Sequence, residues 1–138
     1  MEAARLEQVA AALATTAAGG ASFDLALRGL GAFPSPTRPR VIWAGVARGG
    51  AELAALAAGV EDALARLAFA REERPFSAHV TLGRVREPRR DPALAAALGA
   101  AAERELGGFR VERLALMRSD LSPRGARYSV LDSWALGR

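Results

Sequence analysis

The sequence contains no cysteine, which excludes disulfides, a thiol nucleophile and any thiolate-bound metal. Its only histidine is His79, so a zinc centre, which draws on Cys and His ligands, is not expected, and neither a metal nor another cofactor is implied. Lysine is missing as well: all nineteen basic residues are arginine. No apolar run reaches the roughly 18 uninterrupted residues of a membrane span, because Arg and Glu break the Ala-rich stretches. Glu2, Arg5 and Glu7 interrupt the beginning of the chain, so nothing there reads as a signal peptide. These absences lead us to expect no membrane partner and a cytoplasmic location.

A chain of 138 residues fits one domain, taken as 1–138, and buries roughly two-thirds of its unfolded surface. Half of it is hydrophobic, which argues against wholesale disorder. The net charge of +4 suits a phosphate-bearing partner. The use of Arg in place of Lys is not by itself read as phosphate recognition, because a chain so rich in Ala, Arg and Gly and without Lys reflects genome composition.

Periodicity predicts the elements. Leu6, Val9, Ala10 and Leu13 mark one face of a helix over 2–18, and Gly19-Gly20 stops it. Phe23, Leu25 and Leu27 alternate as in a strand. A loop with Pro34, Pro36 and Pro39 follows, then the apolar strand 41–46, read as covered on both faces. Leu53, Leu56, Val60, Leu64 and Leu67 form the stripe of a second helix. Residues 76–86 read as a strand. Asp91-Pro92 opens a third helix, with Asp as N-cap and Pro in the first turn; Leu94, Leu98 and Leu106 mark it, and Gly107-Gly108 is its expected end. A hairpin closes the chain, with strands 109–118 and 126–134 joined by 121–125. The fold class is α+β with antiparallel pairs.

The segment most able to carry chemistry is His79-Val80-Thr81-Leu82-Gly83-Arg84. In a strand His79 and Thr81 share a face. An imidazole that transfers protons near neutral pH and a hydroxyl that donates to a phosphate oxygen can together hold one phosphate. In a regular strand Gly83 shares that face and Arg84 points the other way, joining the site only if the strand bulges near Gly83.

The run Pro75-Phe76-Ser77-Ala78-His79-Val80-Thr81-Leu82-Gly83-Arg84-Val85 resembles the second signature of the 2H phosphoesterases, and more narrowly that of the bacterial RNA 2′,3′-cyclic phosphodiesterases, also called 2′-5′ RNA ligases. That signature is His-x-Thr-x-x-Arg, commonly preceded by Pro-Phe and a second proline; here Ala78 replaces the second proline. Ser119, Leu121, Gly125 and Tyr128 are spaced like the family's closing hairpin, so the resemblance covers essentially the whole chain. It implies a two-lobed fold with antiparallel sheets, and metal-independent opening of a 2′,3′-cyclic phosphate at an RNA end to a 2′-phosphomonoester. His79 would be the general acid or base, Thr81 would hold a phosphate oxygen and Arg84 would bind substrate charge.

The family carries two His-x-Thr motifs, and this chain has one histidine. Residues 2–13 look like the helix that follows the first motif, so the expectation is a domain incomplete at its N-terminus, with impaired turnover and exposed sheet edges that favour self-association. Glu72, Glu73 and Asp132 are the carboxylates to check as substitutes for the missing group. Two other readings stay open: a module that binds an RNA end or nucleotide without turnover, and an inactive fragment.

Overall fold

The computed structural model describes residues 2–137. Among them are three helices and six strands in the order α1 (Ala3–Gly19), β1 (Phe23–Phe33), β2 (Val41–Arg48), α2 (Gly50–Ala65), β3 (His79–Arg84), α3 (Pro92–Ala100), β4 (Glu105–Val111), β5 (Arg113–Ser122) and β6 (Gly125–Ala135). The α+β class expected from the sequence is observed. The chain divides into two compact units: 1–23, 55–75 and 111–138 in one, 24–54 and 76–110 in the other.

In the first unit α1 packs on the two-stranded sheet β5–β6. Val9, Leu13 and Ala17, four residues apart, are the buried face of α1, as its 3.6-residue period requires. Gly20 closes the helix by donating its N–H to Ala17 O at 3.1 Å. The chain returns there after β6, where Gly137 N donates to Ala17 O at 3.0 Å and to Gly20 O at 3.1 Å. A Cβ on Gly137 would lie 2.1 Å from Ala18 O, so this crossing needs glycine. The hairpin is tighter than expected: Ser122 pairs with Gly125 across a two-residue turn. Leu53, Leu56, Val60 and Leu64 of α2 are half-buried and only Ala63 of that helix is buried; Leu67, expected on the same stripe, lies beyond its end.

The second unit is built on a four-stranded sheet in the order β3-β2-β1-β4. The pairs β1–β2 and β2–β3 are antiparallel. Leu25, Ala32, Ala44, Leu98 and Ala101 are buried here. On β2 only Ala44 is buried and the rest are half-buried or exposed, so the expectation of a strand covered on both faces does not hold. Asp91 caps α3 as expected, its side chain accepting from Leu94 N at 3.1 Å with Pro92 in the first turn.

Three boundaries differ from the sequence reading. Helix α3 stops at Ala100, and Leu106 lies in a strand, β4. The reason is capture of the chain by β1: Leu30 N donates to Ala101 O at 3.0 Å and Gly29 N to Arg104 O at 2.8 Å. Gly29 makes this possible with φ +79°, because a Cβ there would fall 2.2 Å from Ala102 O. Residues 109–111 consequently belong to β4 rather than to the hairpin. The strand expected over 76–86 is paired only over His79–Arg84.

Candidate active site

His79, Thr81 and Arg84 all lie on β3, an edge strand of the four-stranded sheet. The register with β2 pairs His79 with Gly45 and Thr81 with Trp43, then Gly83 with Ile42 and Arg84 with Val41. Leu82 is therefore an extra residue, a β-bulge, and Leu82 is exposed. Paired residues share a face, and Val41, Trp43 and Gly45 alternate onto one face of β2. The bulge thus returns Arg84 to the face of His79 and Thr81, which a regular strand would deny it. It also moves Gly83 to the opposite face, with Ile42, whereas the regular alternation expected from the sequence put it on the face of His79 and Thr81. Thr81 and Arg84 are exposed and His79 is half-buried.

The imidazole is oriented. Nδ1 of His79 lies 2.7 Å from the carbonyl oxygen of Ser77. A carbonyl only accepts, so Nδ1 carries the proton and the lone pair of the neutral ring sits on Nε2.

An aromatic cluster on the same face backs the ring. Phe33 meets His79 edge to face, with centroids 5.2 Å apart and planes at 88°. Phe33 in turn packs on Trp43 at 5.2 Å and 37°. Gly31 pairs with Trp43 and Phe33 with Val41, so both belong to this face. The indole lies over Gly31 so closely that a Cβ there would come within 2.2 Å of its Cζ2. Trp43 Nε1 is buried and has no hydrogen-bond partner among the described residues. Phe33, Trp43 and Gly31 are packing neighbours on the His79 face that the sequence reading missed. The i, i+2 spacing of Gly31 and Phe33 was visible, but only the strand register shows that it lies beside His79.

Glu72, Glu73 and Asp132 belong to the other unit. Glu72 N donates to a carboxylate oxygen of Glu61, and Asp132 Oδ1 accepts from Ser133 N at 2.8 Å. In that unit Ser119 pairs directly with Tyr128, while Leu121 pairs with Ala126 and Gly125 with Ser122. No group of three or more His, Asp or Glu side chains is arranged to hold a metal ion among the described residues, and no helix among them is long and apolar enough to cross a membrane.

Residues 1–123 match the family model described as the 2′-5′ RNA ligase superfamily. The chain belongs to the 2′-5′ RNA ligase superfamily. It is 41% identical over 109 residues to an RNA 2′,3′-cyclic phosphodiesterase of Aeropyrum pernix, covering 79% of this chain and 62% of that protein. It is 32% identical over 132 residues to the protein of the same name from Methanothermobacter thermautotrophicus, covering 96% of this chain and 71% of that one. The chain thus spans about three-fifths of the length of the first of these relatives. Its similar proteins come from archaea as well as from bacteria such as Aquifex aeolicus, so the likeness is not confined to bacterial members. A solved structure from Thermus thermophilus, at 30% identity, superposes with a TM-score of 0.77 over 99% of this chain and 73% of its own. E. coli LigT complexed with 3′-AMP superposes with a TM-score of 0.74 at 23% identity over 100% of this chain and 72% of LigT, which shows a shared fold.

Proposed function

We propose that this chain acts on RNA ends carrying a 2′,3′-cyclic phosphate, hydrolysing them to 2′-phosphomonoesters without a metal. The observation that carries this reading is the tethered imidazole: Nδ1 of His79 is held by Ser77 O at 2.7 Å, which leaves Nε2 as the reactive nitrogen on the face that Thr81 shares. The naming of the relatives from Aeropyrum and Methanothermobacter supports the same substrate.

In the reaction a water oxygen bonds to phosphorus and the bond from phosphorus to the ribose 3′ oxygen breaks. One proton leaves the water and one is delivered to the 3′ oxygen. His79 Nε2 takes the first of these as general base, or supplies the second when it starts protonated. Thr81 donates its hydroxyl to a non-bridging phosphate oxygen, and Arg84 offsets phosphate charge further along the strand. With an RNA 5′ hydroxyl in place of water, the same bond changes yield a 2′-5′ linkage.

One imidazole does not reach both sides of phosphorus, and the chain has a single histidine. The proposal is therefore that turnover by these 138 residues is weak, and that a longer form with a first His-x-Thr motif ahead of residue 2 supplies the opposing group. The test is turnover of a cyclic-phosphate-ended oligonucleotide by this chain, its variants and the extended chain. His79→Ala should cost about 10²–10⁴-fold, the usual worth of a positioned acid or base. Thr81→Val should cost roughly 10–100-fold, the worth of one hydrogen bond to a charged group. The extended chain should be the fastest. Undiminished turnover by His79→Ala would overturn the site and the mechanism together.

The lone histidine also favours a second reading, capture of the cyclic end without turnover; it predicts tight binding with no product from the short chain. Under either reading the chain works where RNA is processed, which we take to be the cytoplasm. Self-association completes the proposal: β3 is an edge strand, and such edges pair readily with another chain.

A further inference from the structure

The positive charge is not spread evenly. Residues 38–40 and 84–91 hold six arginines, Arg38, Arg40, Arg84, Arg86, Arg89 and Arg90, against Glu87 and Asp91. This excess of four equals the net charge of the whole chain, so the remainder is neutral. The fold gathers these two stretches. Val41 pairs with Arg84, and Val85 N donates to Arg40 O at 2.8 Å, which places both at one end of the β2–β3 pair. All six arginines are exposed. Among the described residues no carboxylate forms an ion pair with Arg38, Arg40, Arg84, Arg89 or Arg90. Of the two local carboxylates, that of Asp91 is engaged as the cap of α3. A cleft of about 290 Å³ opens at this end, lined by Arg86 and Arg89, by the carboxylates Glu87 and Asp91, and by Pro39, Val85 and Leu94. Guanidinium planes and apolar carbon are the surfaces on which an unstacked RNA base rests.

By the register, Arg84 lies opposite Val41, two residues along β2 from the partner of Thr81 and four from that of His79, roughly 7 and 13 Å at about 3.3 Å each. Arg84 is thus within side-chain reach of a phosphate on Thr81 and is the near member of the arginine end, whereas Arg38, Arg40, Arg86, Arg89 and Arg90 lie outside the β2–β3 pairing. A cyclic phosphate terminates its strand at the 3′ side, so every other phosphate of the substrate lies on the 5′ side of the reacting nucleotide.

We infer that the arginine end of β2–β3 binds the phosphates of the RNA body 5′ of the cyclic end, making this a site for oligonucleotides rather than for mononucleotides. The inference rests on the function proposed above and specifies its substrate class. It accounts for why the charge lies beyond the His79 site: the reacting phosphate carries one charge, whereas a single strand presents one per nucleotide.

The test compares binding of a nucleoside 2′,3′-cyclic monophosphate and of a short oligonucleotide with the same cyclic end, for the wild-type chain and for the combined variant Arg38→Gln, Arg40→Gln, Arg89→Gln, Arg90→Gln. A thermal melt establishes that the variant folds. The wild-type chain should bind the oligonucleotide at least tenfold more tightly than the mononucleotide. Its affinity should fall with salt by about 0.7 in log–log slope for each single-strand phosphate contact. The variant should lose most of the tenfold preference and two or more contacts' worth of slope. Equal binding of oligonucleotide and mononucleotide by the wild-type chain, or an unchanged slope in the variant, would overturn the inference. Cyclic mononucleotide turnover sensitive to His79→Ala reports on the His79 site independently, so failure of the arginine end is told apart from failure of the proposed function.

Discussion

Gly31 is a glycine because Trp43 occupies the space where a side chain would be. With the indole Cζ2 at 2.2 Å from a built Cβ, any larger residue pushes the ring off its seat, and through Phe33 off the edge of His79. Overpacking of this kind costs about 1–3 kcal/mol. Gly31→Ala should accordingly lower the melting temperature by several degrees, measured by circular dichroism, and should weaken turnover by displacing the imidazole. A variant with unaltered stability would show that the indole has somewhere else to go. That His79 and Thr81 share one face of a strand was readable from their i, i+2 spacing. The face of Arg84 was not, because it depends on Leu82 being extra, and no sequence pattern announces a bulge that only the pairing with Trp43 and Ile42 defines.

At the scale of elements, the strongest local signals held. Asp91-Pro92 predicted the start of α3, and the Asp91 carboxylate does accept from Leu94 N. Asp91→Ala should destabilise the chain by about 1 kcal/mol, the worth of an N-cap, read as a shift in the urea midpoint; no shift would mean that packing of Leu98 alone holds this nine-residue helix. The end of the same helix was misread because Leu106 fits an apolar spacing, whereas the chain turns earlier, at Ala101, where β1 takes its carbonyl. Strand β4 was missed for the same reason: Glu105–Val111 contains Gly-Gly and no alternating pattern, and it is a strand because β1 offers an edge. The hairpin β5–β6 was expected from Pro123 and Gly125, and Gly125, which follows the two-residue turn and pairs with Ser122, has φ +113°.

At the scale of the molecule, one face of β5–β6 stands out. The pairs Met117–Val130, Ser119–Tyr128 and Leu121–Ala126 share it, and Met117, Leu121, Tyr128 and Val130 are 44–86% exposed. Together with the open edge of β3, such a surface leads us to expect concentration-dependent self-association. Size-exclusion chromatography over a hundredfold range of concentration should show elution moving toward larger species; a fixed monomer at every concentration would sink this expectation.

What the sequence determined by itself were the features that short-range physics sets: the helical faces, the Asp91 cap, the hairpin turn, the α+β class and the His79–Thr81 pair, each resting on a repeat or a local hydrogen bond within a few residues. It also carried the family, through the run Pro75–Val85. Tertiary structure decided the rest. Strand β4, the early end of α3, the face of Arg84, the aromatic backing of His79 by Phe33 and the gathering of arginines from 38–40 and 84–91 all depend on which strand lies beside which and in what register. Register is a long-range quantity: a shift of one residue turns every side chain of a strand to the other face, and the partner that fixes it lies tens of residues away in the chain.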